Sequence, residues 1–139
     1  MKKLIVSVMA LVLLTMSAVL PVGAAAHMGD IAVPYWTNVN SVSQSITFEN
    51  GIGFAEGSVR GKFGSTNAQA EVRLYIQTTD GWEFIGDAYD SQSGMSAAVS
   101  YEFTPVRNAT YKAEFTFTVY KSGVSEVVSQ EVIETYTSN

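Results

Sequence analysis

Between Asn108 and Tyr120 the chain reads NATYKAEFTFTVY. From Tyr111 onward it alternates: Tyr111, Ala113, Phe115, Phe117 and Val119 on one side, Lys112, Glu114, Thr116, Thr118 and Tyr120 on the other. That period of two is the pattern of a β-strand with one buried face. A lone strand cannot bury its apolar side, so the remaining chain must supply sheets to cover this one.

Similar signals recur along the sequence. Ser41–Glu49 alternates through Val42, Ile46 and Phe48, with Gln44 interrupting, and Asn50-Gly51 follows as a turn. Ile52–Phe63 reads as a strand with Phe54, Val59 and Phe63 as its apolar points and Arg60 and Lys62 facing out. Its Gly57 and Gly61 suggest a bulge or close approach by another backbone. They do not suggest a phosphate loop, because no helix follows. After a loop at Gly64–Asn67, Glu71–Thr78 places Val72, Leu74 and Ile76 inward and Arg73, Tyr75 and Gln77 outward. Asp80-Gly81 closes a hairpin into Trp82–Ile85, and Gly86–Gly94 reads as a polar loop. Met95–Phe103 restores the alternation. Lys121-Ser122-Gly123 turns the strand at 111–120 into a last one over Val124–Tyr136. There the pairs Val127-Val128 and Val132-Ile133 call for a bulge or for cover on both faces. About seven antiparallel strands with no helical segment between them predict an all-β sandwich.

The first residues carry a different signal. Lys2 and Lys3 precede an apolar run from Leu4 to Leu20, followed by Pro21 and the small residues Gly23-Ala24-Ala25-Ala26. This is the layout of a signal-peptide helix over 1–26, with cleavage fitting Ala24 and Ala26 equally; the small-residue site disfavours an uncleaved anchor. An extended leader over 27–40, with Pro34 keeping Val33 extended, then precedes a domain at 41–139. Trp36 in that leader is expected to pack over one end of the domain.

Removing Lys2 and Lys3 leaves six basic against thirteen acidic side chains, a net charge of −7. An acidic chain without a basic cluster is a poor match for nucleic acid or an anionic membrane. With no cysteine, the domain must hold together outside the cell by its core alone. Free secretion is the expected location.

The segment Asn108-x-x-Tyr111-x-Ala113 resembles the tyrosine corner of immunoglobulin-like domains, in which a Tyr precedes the second core cysteine by two residues. Ala113 stands at the cysteine position, and Leu74 or Ile76 fills the layer where such domains place a tryptophan. The resemblance is therefore to a disulfide-free immunoglobulin-like β-sandwich with Tyr111 opening its strand F. Its implication is that the Tyr111 hydroxyl bonds the backbone just upstream. Over its whole length the chain also resembles a group of small secreted proteins of Gram-positive bacteria, of unknown function. Pro34-Tyr35-Trp36, the hairpin Leu74–Trp82, the pair Tyr111-Lys112 and the final Gly123-Val124-Ser125-Glu126 carry that resemblance. It implies location and fold, not activity.

Catalytic chemistry finds little to use. His27 is the sole histidine, so a Ser-His or Cys-His pair has no base and a His/Cys zinc site has no ligands. Glu83, Asp87 and Asp90 lack the spacing of a calcium loop, and Asn108-Ala109-Thr110 is read as a turn rather than a glycosylation site. No cofactor or metal is expected, and the chain is read as a non-enzyme.

The outward row remains: Arg73, Tyr75, Gln77, Glu114, Thr116, Thr118 and Tyr120, with Glu83 and Ile85 beside them. Tyr- and Thr-rich faces with a few charges serve as binding surfaces in sandwich folds, though the same residues are simply good strand formers. The expected function is binding of a protein or glycan partner at a cell or host surface, with oligomeric state left open. Alternatives are a carbohydrate-binding module stacking sugars on Trp36, Trp82 or the tyrosines, and a small hydrolase working through Glu83 and Asp87.

Overall fold

A computed structural model describes residues 35–137. The expected signal peptide, and the expected leader as far as Pro34, lie outside the described residues. Seven strands follow in order: β1 (Val39–Glu49), β2 (Ile52–Gly61), β3 (Ser65–Thr78), β4 (Gly81–Ser93), β5 (Ser96–Phe103), β6 (Thr110–Lys121) and β7 (Val124–Thr135). They form two sheets, β1-β2-β5 and β4-β3-β6-β7, antiparallel throughout. No helix occurs among the described residues.

Local chemistry sets the hairpins. Asn50 and Gly51 (φ 51° and 78°) join β1 to β2, and Ser122 and Gly123 (φ 52° and 76°) join β6 to β7. Two successive left-handed residues are what a tight hairpin needs to follow the strand twist. The alternation at 111–120 becomes β6, whose Tyr111, Ala113, Phe115, Phe117 and Val119 are all fully buried.

These large side chains need an accommodating partner sheet, and β2 provides it through glycine. A Cβ on Gly57 would stand 2.6 Å from the Phe115 ring, and one on Gly61 would stand 2.8 Å from Val119. Gly53 makes the same allowance for Phe103. The inward face of β2 is therefore Gly53, Ala55, Gly57, Val59 and Gly61. This corrects the expected pattern for that strand. Phe54 lies on the outward face and Phe63, in the turn after β2, is 91% exposed. Bulky residues on β6 fill the space, and small ones opposite make room for it.

Two lengths also differ from expectation. β3 begins at Ser65 rather than Glu71, because Ala68 and Ala70 continue its buried row without bulk. β4 continues through the segment expected to be a loop, up to Ser93. Its inward Gly86 lies under the Tyr101 ring of β5, and Ala88 packs against the core beside it. β7 needs neither bulge nor double cover. Its register with β6 is continuous, and Val128 is buried while Val127 and Ile133 point outward.

The β5–β6 crossover carries the expected corner. Tyr111 is buried, and its hydroxyl accepts the Val106 N–H at 2.7 Å. With that corner opening the sixth strand, the two sheets make an immunoglobulin-like β-sandwich.

Candidate binding face on the four-stranded sheet

The outward side of β4-β3-β6-β7 is organised by its register. Thr78 pairs with Gly81, so Gln77 faces Trp82 and Tyr75 faces Phe84 across the hairpin. On the other side of β3, Tyr75 pairs with Lys112 and Arg73 with Glu114, and on β7 Ile133 lies opposite Lys112. Side chains of paired residues share a face. The outcome is a compact group near the hairpin end: Trp82, Phe84, Tyr75, Arg73, Lys112, Glu114 and Ile133.

Lys112 is its centre. The ammonium sits 4.8 Å from the Tyr75 ring centre and 5.1 Å from that of Trp82, and it bonds Glu114 Oε1 at 2.8 Å. Its side chain is only 14% exposed. Arg73 lies over the Phe84 ring at 5.4 Å, and Tyr75 and Phe84 meet edge to face at 5.7 Å. Cation–π and aromatic contacts of this kind hold rings in fixed orientations.

The electrostatics follow the contacts. The hydrogen bond to Glu114 raises the Lys112 pKa despite the opposing effect of burial, and the Glu114 and Glu131 charges add to it. The hydrogen bond from Lys112 lowers the Glu114 pKa against the opposing effect of burial, with the Lys112 charge, the Tyr75 hydroxyl and Arg73 assisting. Both groups are held in their charged forms.

The seven expected site residues divide. Arg73, Tyr75 and Glu114 belong to the group around Lys112, and Gln77 borders it beside Trp82. Thr116, Thr118 and Tyr120 lie farther along β6, opposite Glu71, Gln69 and Asn67, and outside the aromatic group. Glu83 is not on this face as expected: it pairs with Ile76, whose side chain packs against the core. Ile85 is the extra residue of a bulge opposite the Leu74–Tyr75 step. Phe84 and Lys112 are absent from the expected site, and Trp82 enters it only as a sugar-stacking alternative. A two-residue turn at Thr79-Asp80 would have placed Trp82 and Phe84 beside Gln77 and Tyr75.

The competing chemistries have little geometry to draw on. Asp87 lies outward opposite Arg73, whereas Asp90 accepts bonds from Gln92 Nε2 (2.8 Å) and the Ala98 N–H (3.3 Å). Among the described residues no group of three His, Cys, Asp or Glu side chains is placed to hold a metal ion. Trp36 packs against the core, as expected.

A second polar assembly joins the segment before β1 to β7. The Glu126 carboxylate accepts the N–H groups of Thr37 (2.7 Å), Asn38 (2.6 Å) and Val39 (2.8 Å). Asn38 Nδ2 donates to Val124 O at 3.0 Å, and Lys62 Nζ donates to the Trp36 carbonyl. Burial pushes the Glu126 pKa up, but the three backbone bonds and the Lys62 charge outweigh it and leave it lowered. Residues 37–40, expected to be leader, are thus fastened to the sandwich.

No protein-family model and no curated protein sequence matches the chain. Among solved structures it is similar to CsgH of R. palustris, with a TM-score of 0.43 and 10% identity over 64% of this chain and 88% of that one. The CARDB domain of a Pyrococcus furiosus protein aligns with a TM-score of 0.40 and 18% identity over 70% of this chain and 94% of that one. A Bacteroides uniformis β-glucuronidase aligns with a TM-score of 0.41 and 17% identity over 71% of this chain, spanning 13% of the enzyme. No function is taken from these likenesses.

Proposed function

We propose that the chain is a secreted, non-enzymatic binding module that engages a protein partner at a cell or host surface through the outward face of β4-β3-β6-β7. One observation carries this: a cluster of aromatic and cationic side chains stands exposed on a flat sheet yet is already braced. Trp82 is 37% and Phe84 47% exposed, while the largely buried Lys112 contacts the Trp82 ring and the exposed Arg73 lies over that of Phe84. Tyr, Trp and Arg are the residue types that dominate binding energy at protein interfaces, and pre-ordered side chains lose little entropy on binding. Sugar stacking is less favoured, since Lys112 already covers one face of both Tyr75 and Trp82.

The test is affinity capture from bacterial and host surface fractions, comparing the wild type with a folded Arg73→Ala/Phe84→Ala double variant. A protein retained by the wild type and lost by the variant supports the module. Equal retention by both removes this face as the binding surface.

A further inference from the structure

β7 is an edge strand of the four-stranded sheet, and an edge exposes unpaired backbone groups that can template pairing with another chain. The other three edges each carry an obstruction. β5 has its Ala98 N–H taken by the Asp90 carboxylate, β4 is broken by the bulge at Ile85, and β1 has a register shift between Val39 and Ser41. β7 pairs with β6 without a break from Val124 to Thr135, and it contains no proline, lysine or arginine.

The β6–β7 hairpin sets which backbone groups are free. Lys121 and Val124 flank the two-residue turn, so the even-numbered residues of β7 direct their N–H and C=O groups toward β6. Tyr136 keeps the phase: its N–H donates to Ala109 O, and its carbonyl accepts the Asn108 N–H. The odd-numbered residues aim theirs at the open edge, where none bonds another backbone group among the described residues. Glu126 is already taken by the N–H groups of Thr37, Asn38 and Val39, so the open stretch is 127–135.

Charge decides what this stretch can take. Glu131 and Glu134 are exposed on it, and no cation stands on β7. Lys112, one strand further in, bonds Glu114 in the one ion pair among the described residues, which leaves both β7 carboxylates without an ionic partner there. A second copy of the chain would add carboxylates to carboxylates, whereas a strand carrying lysine or arginine neutralises them. On the outward face Glu131 lies between Val127, 60% exposed, and Ile133, 50% exposed. We infer that β7 accepts an extended cationic segment of a partner protein as an antiparallel fifth strand of its sheet. Such a segment sets an apolar residue opposite Ile133, a basic one two positions later opposite Glu131, and a second apolar one opposite Val127. A basic residue just before the first apolar one meets Glu134. The edge is separate from the Arg73 and Phe84 side chains, so this inference goes beyond the reading above and does not rest on it.

Fluorescence anisotropy of a labelled nine-residue peptide, KITKTTTVT, titrated with the purified protein tests the inference. In the register above its two lysines meet Glu134 and Glu131, and its isoleucine and valine meet Ile133 and Val127. The protein should bind this peptide and should bind EITETTTVT about tenfold more weakly or less. Glu131→Lys should weaken the first peptide and strengthen the second. Ser129→Pro removes an edge N–H without touching the bonds to β6, and should weaken the first peptide by about tenfold. Arg73→Ala/Phe84→Ala should leave its binding unchanged. If the proline chain does not fold, the response to Glu131→Lys alone decides. Absence of binding, equal binding of the two peptides, or indifference to Glu131→Lys or to a folded Ser129→Pro chain overturns the inference. So does self-association of the protein that the peptide does not displace.

Discussion

The Lys112 ammonium lies within 5.1 Å of the Trp82 ring centre, joining β6 to the β3–β4 hairpin across the outward sheet face. The same ammonium contacts Tyr75 and bonds Glu114, so one side chain orders three neighbours.

Lys112→Met should therefore free the indole without disturbing the core. In a Trp36→Phe background, Trp82 emission is expected to shift to the red. Stability should fall by about 1 kcal/mol, the worth of a partly exposed cation–π contact with its ion pair. An unchanged spectrum would show that Lys112 does not hold Trp82 in solution.

The tyrosine corner makes a separate prediction. Tyr111→Phe deletes the acceptor of the Val106 N–H and nothing else. Denaturant unfolding should show a loss of about 1 kcal/mol, the usual net value of one such bond. No measurable loss would remove the corner as a stabilising element.

Much of this fold is legible in the sequence, because the alternation in β6 and the turns at Asn50-Gly51 and Ser122-Gly123 follow local rules. Of the candidate face, the expected outward row on β3 and β6 gives Arg73, Tyr75 and Glu114 but not Lys112 or Phe84, and the motifs that carry the whole-chain resemblance meet in space without having marked a site. Pro34-Tyr35-Trp36 and the Ser125-Glu126 hairpin are distant in sequence, yet Glu126 binds the backbone directly after Trp36. Likewise Tyr111-Lys112 and the Leu74–Trp82 hairpin meet where Lys112 contacts Tyr75 and Trp82. Periodicity misled where bulk was absent. In β2 every inward position but Val59 is glycine or alanine, so the partly buried Phe54 reads as a core residue. In β4 the inward Gly86 and Ala88 gave no apolar signal, because the volume there comes from Tyr101 on another strand. The bulge at Ile85 has no local mark at all.

Gly57 offers a direct probe of that hidden complementarity. Gly57→Ala would drive a methyl to 2.6 Å from the Phe115 ring and should cost about 1–3 kcal/mol by overpacking. Ordinary β-propensity would instead favour alanine over glycine at a strand interior, so the sign of the change distinguishes the two effects.

Glu126 links stability to acidity. Its folded pKa lies below the usual 4.5, so the folded state binds its proton less readily than the unfolded chain. The resulting stabilisation is fully present above the unfolded value and is lost as pH falls through the folded one. Glu126→Gln should lower stability at neutral pH by about 2 kcal/mol, the range of hydrogen bonds to a charged group. It should also flatten the decline below about pH 4.5. An identical acid profile in the variant would show that the carboxylate is not what fastens Thr37–Val39 to β7.

The binding face itself is tested most directly by the affinity of the captured protein partner for single variants on opposite sheets. Phe84→Ala is expected to weaken binding by about 30-fold or more, as truncation of a central aromatic anchor does. Ser43→Ala on the β1-β2-β5 face should leave it unchanged. The reverse pattern, or equal affinities throughout, would contradict the assignment of the Lys112 face as the surface through which this protein acts.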